Sequence, residues 1–141
     1  MSTLKCILVI EDDAVIGMTL ADCLGDAGFK VPKPICSLEH ALVAVEEFAP
    51  DAAVLDLSLR DGSGFSLAAE LKHRGVPFLV YSGYPREVAT MPALQDVPWI
   101  DKPGTLDRLL DEISKLLAGD QARDLPTKPR GLVLAEGSRC K

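Results

Sequence analysis

The sequence predicts an α/β fold in which a five-stranded parallel sheet is doubly wound by helices. Short apolar runs rich in β-branched residues alternate along the chain with segments whose apolar residues recur at helical spacing. The connections between these runs are short, which suits parallel strands joined by right-handed crossovers. Four of the apolar runs also end in polar side chains, and such side chains gather at the carboxyl edge of a parallel sheet.

The first strand is predicted at residues 5–10, an apolar run that ends directly before three acidic residues. Apolar residues at helical spacing follow over residues 16–27, and this pattern predicts an amphipathic helix. Asp13 is suited to N-cap this helix and Gly28 is suited to end it.

A second strand is predicted at residues 31–35, where Pro32 and Pro34 weaken the strand pattern. Because proline cannot donate a ladder hydrogen bond, this strand suits an edge of the sheet. Ser37 then stands where it can cap a second helix, whose apolar face extends to Val45.

The third strand is predicted at residues 52–55, and it ends at a carboxylate, Asp56. A continuous apolar run is typical of a strand buried on both faces, where an unpaired charge at the strand end costs free energy. A loop with two glycines follows, and then a third helix over residues 65–72. The fourth strand is predicted at residues 77–81 and leads into Ser82.

The last third of the chain is predicted to be less regular. Pro92 and Pro98 interrupt the stretch after the fourth strand, so a fourth helix there should be short or irregular. Residues 99–101 predict a brief fifth strand, and residues 106–117 carry the most regular apolar stripe of the chain. Periodicity vanishes over residues 119–141.

The composition is that of one soluble domain. The 141 residues suffice for one core, and the formal net charge of -6 argues against a general nucleic-acid binder. No apolar run approaches the roughly 20 residues of a membrane span, and the N-terminus lacks the cleavage region of a signal peptide. The four scattered cysteines are expected to be free thiols. We therefore expect a cytoplasmic protein with a domain at residues 4–118 and a flexible tail, without an output domain, at residues 119–141.

The polar strand ends carry the candidate chemistry. They are Glu11, Asp12 and Asp13 after the first strand, Asp56 after the third, Ser82 after the fourth and Lys102 after the fifth. Carboxylates gathered at one edge repel one another and raise their pKa values, unless an ammonium or a divalent cation relieves the repulsion. Oxygen ligands alone select Mg²⁺, Mn²⁺ or Ca²⁺ rather than zinc. A carboxylate, Mg²⁺, a hydroxyl and a lysine together make a phosphoryl-transfer site.

Four sequence motifs in this order resemble the receiver domain of two-component response regulators. They are Ile-Leu-Val-Ile-Glu-Asp-Asp, Val-Leu-Asp-Leu-Ser-Leu-Arg-Asp-Gly-Ser-Gly, Val-Tyr-Ser-Gly and Lys-Pro, and the resemblance covers about residues 4–118. The resemblance implies the CheY-like, flavodoxin-like fold with strand order 2-1-3-4-5.

The resemblance also implies roles for the site residues. Asp56 would be the phospho-acceptor, and Asp12 would bind Mg²⁺ directly together with Asp56. Glu11 would bind the metal through water, and the backbone carbonyl of Ser58 would be a further ligand. The residues alone do not choose among the three acids after the first strand; the family pattern leaves Asp13 as the helix cap.

Ser82 and Lys102 would each bind a phosphoryl oxygen. Trp99 falls where the family carries a switch aromatic, so we expect either a moving switch or a ring that simply packs. The Lys102-Pro103 bond is often cis in this family. Arg60 and Gly104 depart from the family pattern, because a proline and an apolar residue are usual at those positions.

The function that the resemblance implies is that of a stand-alone receiver and not an enzyme. It would take a phosphoryl group on Asp56 from a sensor histidine kinase or phosphotransfer protein and signal to an unknown downstream protein. A weak homodimer is a further possibility, and no nucleic acid or membrane partner is expected. The alternatives are a phosphate sink or phosphorelay intermediate, an aspartyl-phosphate hydrolase, and a non-phosphorylated binding module. The hydrolases usually carry a second Asp two residues after the nucleophile, where this chain has Ser58.

Overall fold

A computed structural model describes residues 4–59, 61, 63–83 and 92–124. The elements in chain order are β1 (Ile7–Ile10), α1 (Ala14–Asp26), α2 (Leu38–Phe48), β2 (Ala52–Leu55), α3 (Gly64–His73), β3 (Phe78–Ser82), a 3₁₀ turn (Pro92–Leu94), β4 (Trp99–Asp101) and α4 (Leu106–Asp124). The four strands form one parallel sheet in the order β1-β2-β3-β4. The predicted parallel α/β architecture is therefore confirmed.

The segment at residues 30–35 corrects the predicted second strand. It lies beside β1 but joins it only at two isolated parallel bridges, which involve Cys6 and Ile10 of the first strand region. Pro32 and Pro34 stand between those bridges, and neither has an N–H with which to continue the ladder. Counted with this segment, the order from edge to edge is the predicted 2-1-3-4-5.

Side-chain caps fix where α1 and α2 begin. Oδ1 of Asp13 accepts hydrogen bonds from the backbone N–H groups of Val15 and Ile16 at 3.0 and 3.1 Å. Oγ of Ser37 accepts one from the N–H of His40 at 3.2 Å. Both caps satisfy helix N–H groups that have no partner inside the helix, and Asp13 therefore lies at the start of α1 as the sequence predicts.

The last helix runs further than the boundary predicted at residue 118. Thr105 caps it, because Oγ1 accepts a hydrogen bond from the N–H of Arg108 at 3.1 Å, and α4 continues to Asp124. The remainder of the predicted tail, residues 125–141, lies outside the described residues. Across the described ranges, no helix combines the length and the apolar character needed to cross a membrane.

The sheet separates two apolar clusters, as a doubly wound fold requires. The first cluster packs α2, α3 and the 3₁₀ turn against one face of the sheet. The second packs α1 and α4 against the other face, with Leu20, Leu24, Leu109 and Ile113 nearly inaccessible to solvent. All four residues of β1 and of β2 are buried. Burial on both faces explains why these strands are continuous apolar runs in the sequence.

The region of the predicted fourth helix contains a single 3₁₀ turn in its described part. This turn spans Pro92–Leu94, and Leu94 is buried with a relative exposure of 1%. Residues 84–91 of the predicted helix lie outside the described residues, as does Arg60.

Candidate functional site

The carboxyl ends of the strands bring the predicted polar residues to one edge of the sheet. Glu11 follows β1, Asp56 follows β2, Ser82 ends β3 and Lys102 follows β4. Glu11 and Asp56 are each 3% exposed, and Ser82 is completely buried. The site is therefore a set of desolvated polar groups at the end of an apolar sheet.

Asp56 is held by hydrogen bonds to both of its carboxylate oxygens. Oδ1 accepts bonds from the backbone N–H of Ser58 at 2.9 Å and from its hydroxyl at 2.7 Å. Oδ2 lies 3.0 Å from Nζ of Lys102. Burial opposes the ionisation of Asp56, but the bonds from Ser58, Lys102 and Glu11 outweigh it and hold the pKa below its usual range. Crowding therefore does not raise the pKa of Asp56, because the bonds from Ser58 and from the Lys102 ammonium relieve it.

The site disfavours the ionised form of Glu11. Its Oε2 accepts a hydrogen bond from the N–H of Asp13 at 3.1 Å, and its Oε1 lies 2.8 Å from Nζ of Lys102. Burial raises the pKa of Glu11 to about 7; Lys102 opposes the rise and the neighbouring Asp56 adds to it. For Glu11 the predicted upward shift of the pKa is confirmed.

Lys102 joins the two buried carboxylates. Its ammonium contacts both Glu11 and Asp56, and its side chain is 19% exposed. Burial lowers the pKa of Lys102, but the two carboxylates outweigh burial and raise it above its ordinary value. Nζ also lies 5.7 Å from the centre of the Tyr81 ring. The Lys102–Pro103 peptide bond is cis.

The donor set suits a hard divalent cation. Glu11, Asp12 and Asp56 each offer a carboxylate oxygen, and these oxygens lie within 4.8 Å of one another. Oε1 of Glu11 is buried and accepts no hydrogen bond of good geometry from the described residues, although it is near the Lys102 ammonium. A buried acceptor of this kind, within an all-oxygen cluster, fits Mg²⁺.

The loop after Asp56 is anchored on both sides of Ser58. Leu57 and Leu59 are buried, with exposures of 2% and 4%, whereas Ser58 between them is exposed. Gly64 lies against the same backbone, because a Cβ added there would fall 2.1 Å from the carbonyl oxygen of Leu57. Such a distance leaves no room for a side chain, so glycine is required where α3 begins.

Trp99 is packed in the structure. Its ring belongs to the apolar cluster on the α2 and α3 face of the sheet and is 8% exposed. Its carbonyl accepts a hydrogen bond from Nη2 of Arg108 at 3.1 Å, which connects β4 to the first turn of α4. A ring packed in this state agrees with either expectation for Trp99, the moving switch or the ring that simply packs.

The hydroxyl of Ser58 is a contact that the sequence interpretation missed. Only the backbone carbonyl of this residue was assigned, yet its side chain touches the central carboxylate. The spacing Asp-x-Ser was a usable signal, because Asp and Ser side chains commonly bond to groups two residues away in turns.

A parallel, doubly wound sheet with a lysine-bridged pair of buried acids at its carboxyl edge places the chain in the CheY-like class of α/β proteins. Residues 7–114 match the family model of the response regulator receiver domain. The chain belongs to that family.

Individual relatives agree with this assignment. The chain is 39% identical over 72 residues to the two-component response regulator PhoP of Pseudomonas aeruginosa, a match that covers 51% of this chain and 32% of PhoP. A CheY-like receiver domain protein from Methanospirillum hungatei superposes with a TM-score of 0.77 at 26% identity, over 86% of this chain and 99% of that one. NtrX from Brucella abortus gives a TM-score of 0.74 at 25% identity, over 86% of this chain and 28% of NtrX. The chain thus spans about a third or less of PhoP and NtrX.

Proposed function

We propose that this protein is a phosphorylated receiver in which Asp56 accepts a phosphoryl group in a Mg²⁺-dependent reaction. The observation that carries the proposal is the Lys102 ammonium, which lies 2.8 Å from Glu11 and 3.0 Å from Asp56 beside an all-oxygen acidic cluster. A buried nucleophile, a fixed cation and a metal-binding set are the parts that phosphoryl transfer to a carboxylate requires.

Each residue has a role in that proposal. Asp56 is the nucleophile: a carboxylate oxygen forms a bond to phosphorus while the bond from phosphorus to the donor's leaving group breaks, and the leaving group keeps that electron pair. Asp12 and Asp56 would hold Mg²⁺ directly, with Glu11 through water and the Ser58 carbonyl as further ligands. When bound, the metal supplies positive charge opposite the phosphoryl oxygens.

Ser82 and Lys102 complete the proposed site by binding phosphoryl oxygens. Ser82 is fully buried at the end of β3, so a hydroxyl there can contact a group on Asp56 without competition from bulk water. Lys102 would exchange part of its contact with Asp56 for the phosphoryl group. We further propose that the packed Trp99 is the switch residue, whose environment alters when this exchange takes place.

The proposed biological role is that of a stand-alone receiver at residues 4–118. The phosphoryl donor would be a sensor histidine kinase or phosphotransfer protein, and the signal would pass to a downstream protein by surface contact. A net charge of -6 disfavours nucleic acid as a partner. The free thiols of Cys6, Cys23 and Cys36 fit a cytoplasmic location.

Signalling rather than turnover is favoured by one residue. The position two residues after Asp56, where aspartyl-phosphate hydrolases carry a general acid, is Ser58, and a serine hydroxyl is a poor proton donor in comparison with a carboxyl group. A phosphate sink or phosphorelay intermediate uses the same chemistry and remains the second candidate.

Intact-mass analysis with acetyl phosphate and Mg²⁺ tests the proposal. Native protein should gain one phosphoryl group, about 80 Da, and Asp56→Asn should gain none. Asp61→Asn is the matched control, because Asp61 is an exposed acid of the same loop and should leave the adduct unchanged. Native protein without an adduct would mean that the chain is a non-phosphorylated module, and rapid release of many equivalents of phosphate would mean that it is a hydrolase.

A further inference from the structure

The ring of Tyr81 lies beside the lysine that joins the two buried carboxylates. Nζ of Lys102 stands over this ring, 5.7 Å from its centre, which is within the range of a cation–π contact. The Lys102 side chain is only 19% exposed, and an ammonium that has lost most of its water gains more from a ring face than an exposed one does. The proposed function gives this ring no role.

The Tyr81 ring is fixed by its surroundings. Tyr81 is 8% exposed and belongs to the apolar cluster that packs α1 and α4 against the sheet. The backbone of Gly104 runs close to the ring, because a Cβ added there would clash with Cγ2 of Ile100 and would fall 3.3 Å from Cε1 of Tyr81. The glycine that departs from the family pattern therefore leaves the space that the ring occupies.

The ammonium of Lys102 is less firmly fixed than the backbone of the same residue. The N–H of Lys102 donates to the carbonyl of Ser82 at 2.9 Å, but the ammonium stands at the end of a flexible stem and is held by Glu11 and Asp56. In the proposed function the ammonium gives up part of its contact with Asp56 to reach a phosphoryl oxygen. The attraction of a ring face does not depend on which oxygen accepts from the ammonium, so it persists through this exchange.

We propose that Tyr81 is a positioning residue whose ring keeps the Lys102 ammonium at the site while the ammonium exchanges Asp56 for a phosphoryl oxygen. This inference rests on the proposed function. The bond from the Asp56 oxygen to phosphorus forms and the bond from phosphorus to the leaving group breaks, as in that function, and Tyr81 neither gains nor loses a proton. The ring acts only through Lys102, and the hydroxyl of Tyr81 is not required.

A double-mutant cycle in EDTA tests the contact without any reaction. Native protein, Tyr81→Leu, Lys102→Met and the double variant are unfolded in urea, and the cycle isolates the interaction between the two side chains. The effects of the two substitutions should depart from additivity by about two- to fivefold in the unfolding equilibrium constant, the size of a cation–π contact. Additive effects would show that the ring does not hold the ammonium.

The second measurement is the rate of phosphorylation by acetyl phosphate at saturating Mg²⁺, followed by intact mass. Tyr81→Leu should react about two- to fivefold more slowly than native protein, and Tyr81→Phe, which keeps the ring face, should react at close to the native rate. Phe48→Leu is the matched control, because the Phe48 ring at the end of α2 carries a similar ammonium, Nζ of Lys30 at 5.4 Å. This control should match native protein in rate.

The outcomes separate the role of Tyr81 from the function on which it rests. If native protein is phosphorylated and Tyr81→Leu keeps the native rate, the positioning role is wrong and the proposed function stands. If Tyr81→Phe is as slow as Tyr81→Leu, the hydroxyl rather than the ring face is responsible, and the role is again wrong. If Phe48→Leu is equally slow, a general loss of packing explains the rate and excludes the role. If native protein takes no phosphoryl group, the proposed function and the role of Tyr81 in it both fail.

Discussion

Glu11 should make the metal-free protein lose stability as the pH rises. In the folded state burial holds its pKa at about 7, against an ordinary value of 4.5. Between those values the folded protein binds more protons than the unfolded chain, so the free energy of unfolding falls with increasing pH. The stabilising contribution is fully present below about pH 4.5 and is lost as the pH passes through about 7.

The size of the effect follows from the two pKa values. Their difference corresponds to about 3 kcal/mol. We expect the free energy of unfolding to change by about 2 kcal/mol between about pH 5 and pH 8, because the site relaxes around the ionised carboxylate. Glu11→Gln keeps the shape of the side chain but cannot ionise. In EDTA at about pH 8 we expect the variant to be more stable than native protein by about 2 kcal/mol, and at about pH 5 we expect the difference to be small.

Urea denaturation followed by circular dichroism, in EDTA across this pH range, measures the difference directly. Native protein and Glu11→Gln share every other titratable group, so the change in their difference with pH isolates Glu11. Glu47→Gln, at an exposed position of α2, is the control and should follow native protein at each pH. Parallel curves for native protein and Glu11→Gln would refute the assignment of the strained carboxyl group.

Two further substitutions test the packing and the charge of the site. Gly64→Ala should lower the free energy of unfolding by about 3 kcal/mol in urea titrations, because the new Cβ would meet the Leu57 carbonyl. The control Gly25→Ala has no atom near its Cβ and should be neutral or stabilising; equal effects would contradict the close approach at Gly64. Lys102→Met should cost about 2 to 3 kcal/mol in EDTA at about pH 8, since it leaves two buried carboxylates without their cation. Lys115→Met removes only an exposed ion pair within α4 and should change the free energy of unfolding little. A similar loss of stability in both variants would show that the contacts of Lys102 with the buried carboxylates stabilise the fold no more than an exposed ion pair does.

The location of the site was predictable from the sequence because its polar residues stand at the ends of predicted strands. In a parallel sheet all carboxyl ends lie at one edge, so Asp56, Ser82 and Lys102 had to converge once the strands were recognised. The caps at Asp13 and Ser37 were also predictable. A short polar side chain directly before an amphipathic helix commonly accepts hydrogen bonds from the first backbone N–H groups of that helix.

Other features depend on three-dimensional detail that no local pattern carries. The pKa of Glu11 is raised and that of Asp56 is lowered. This difference depends on which carboxylate receives the bonds from Ser58, whereas the sequence indicated only crowded acids with Lys102 to relieve them. The segment at residues 30–35 kept its predicted edge position but lost its regular pairing, because Pro32 and Pro34 remove the ladder between the two bridges. The extension of α4 to Asp124 follows no apolar stripe, since the stripe ends near Leu117.

The prolines at the edge of the sheet have a consequence for assembly. An unprotected edge strand offers a row of N–H and C=O groups to any other extended chain, and proteins limit this hazard with proline and with short strands. Here residues 30–35 carry two prolines, and β4 at the other end of the described sheet has only three residues. Both borders of the described sheet therefore offer an added strand few regularly spaced backbone groups. Growth of the sheet by a second extended chain is disfavoured there in comparison with a long, regular edge.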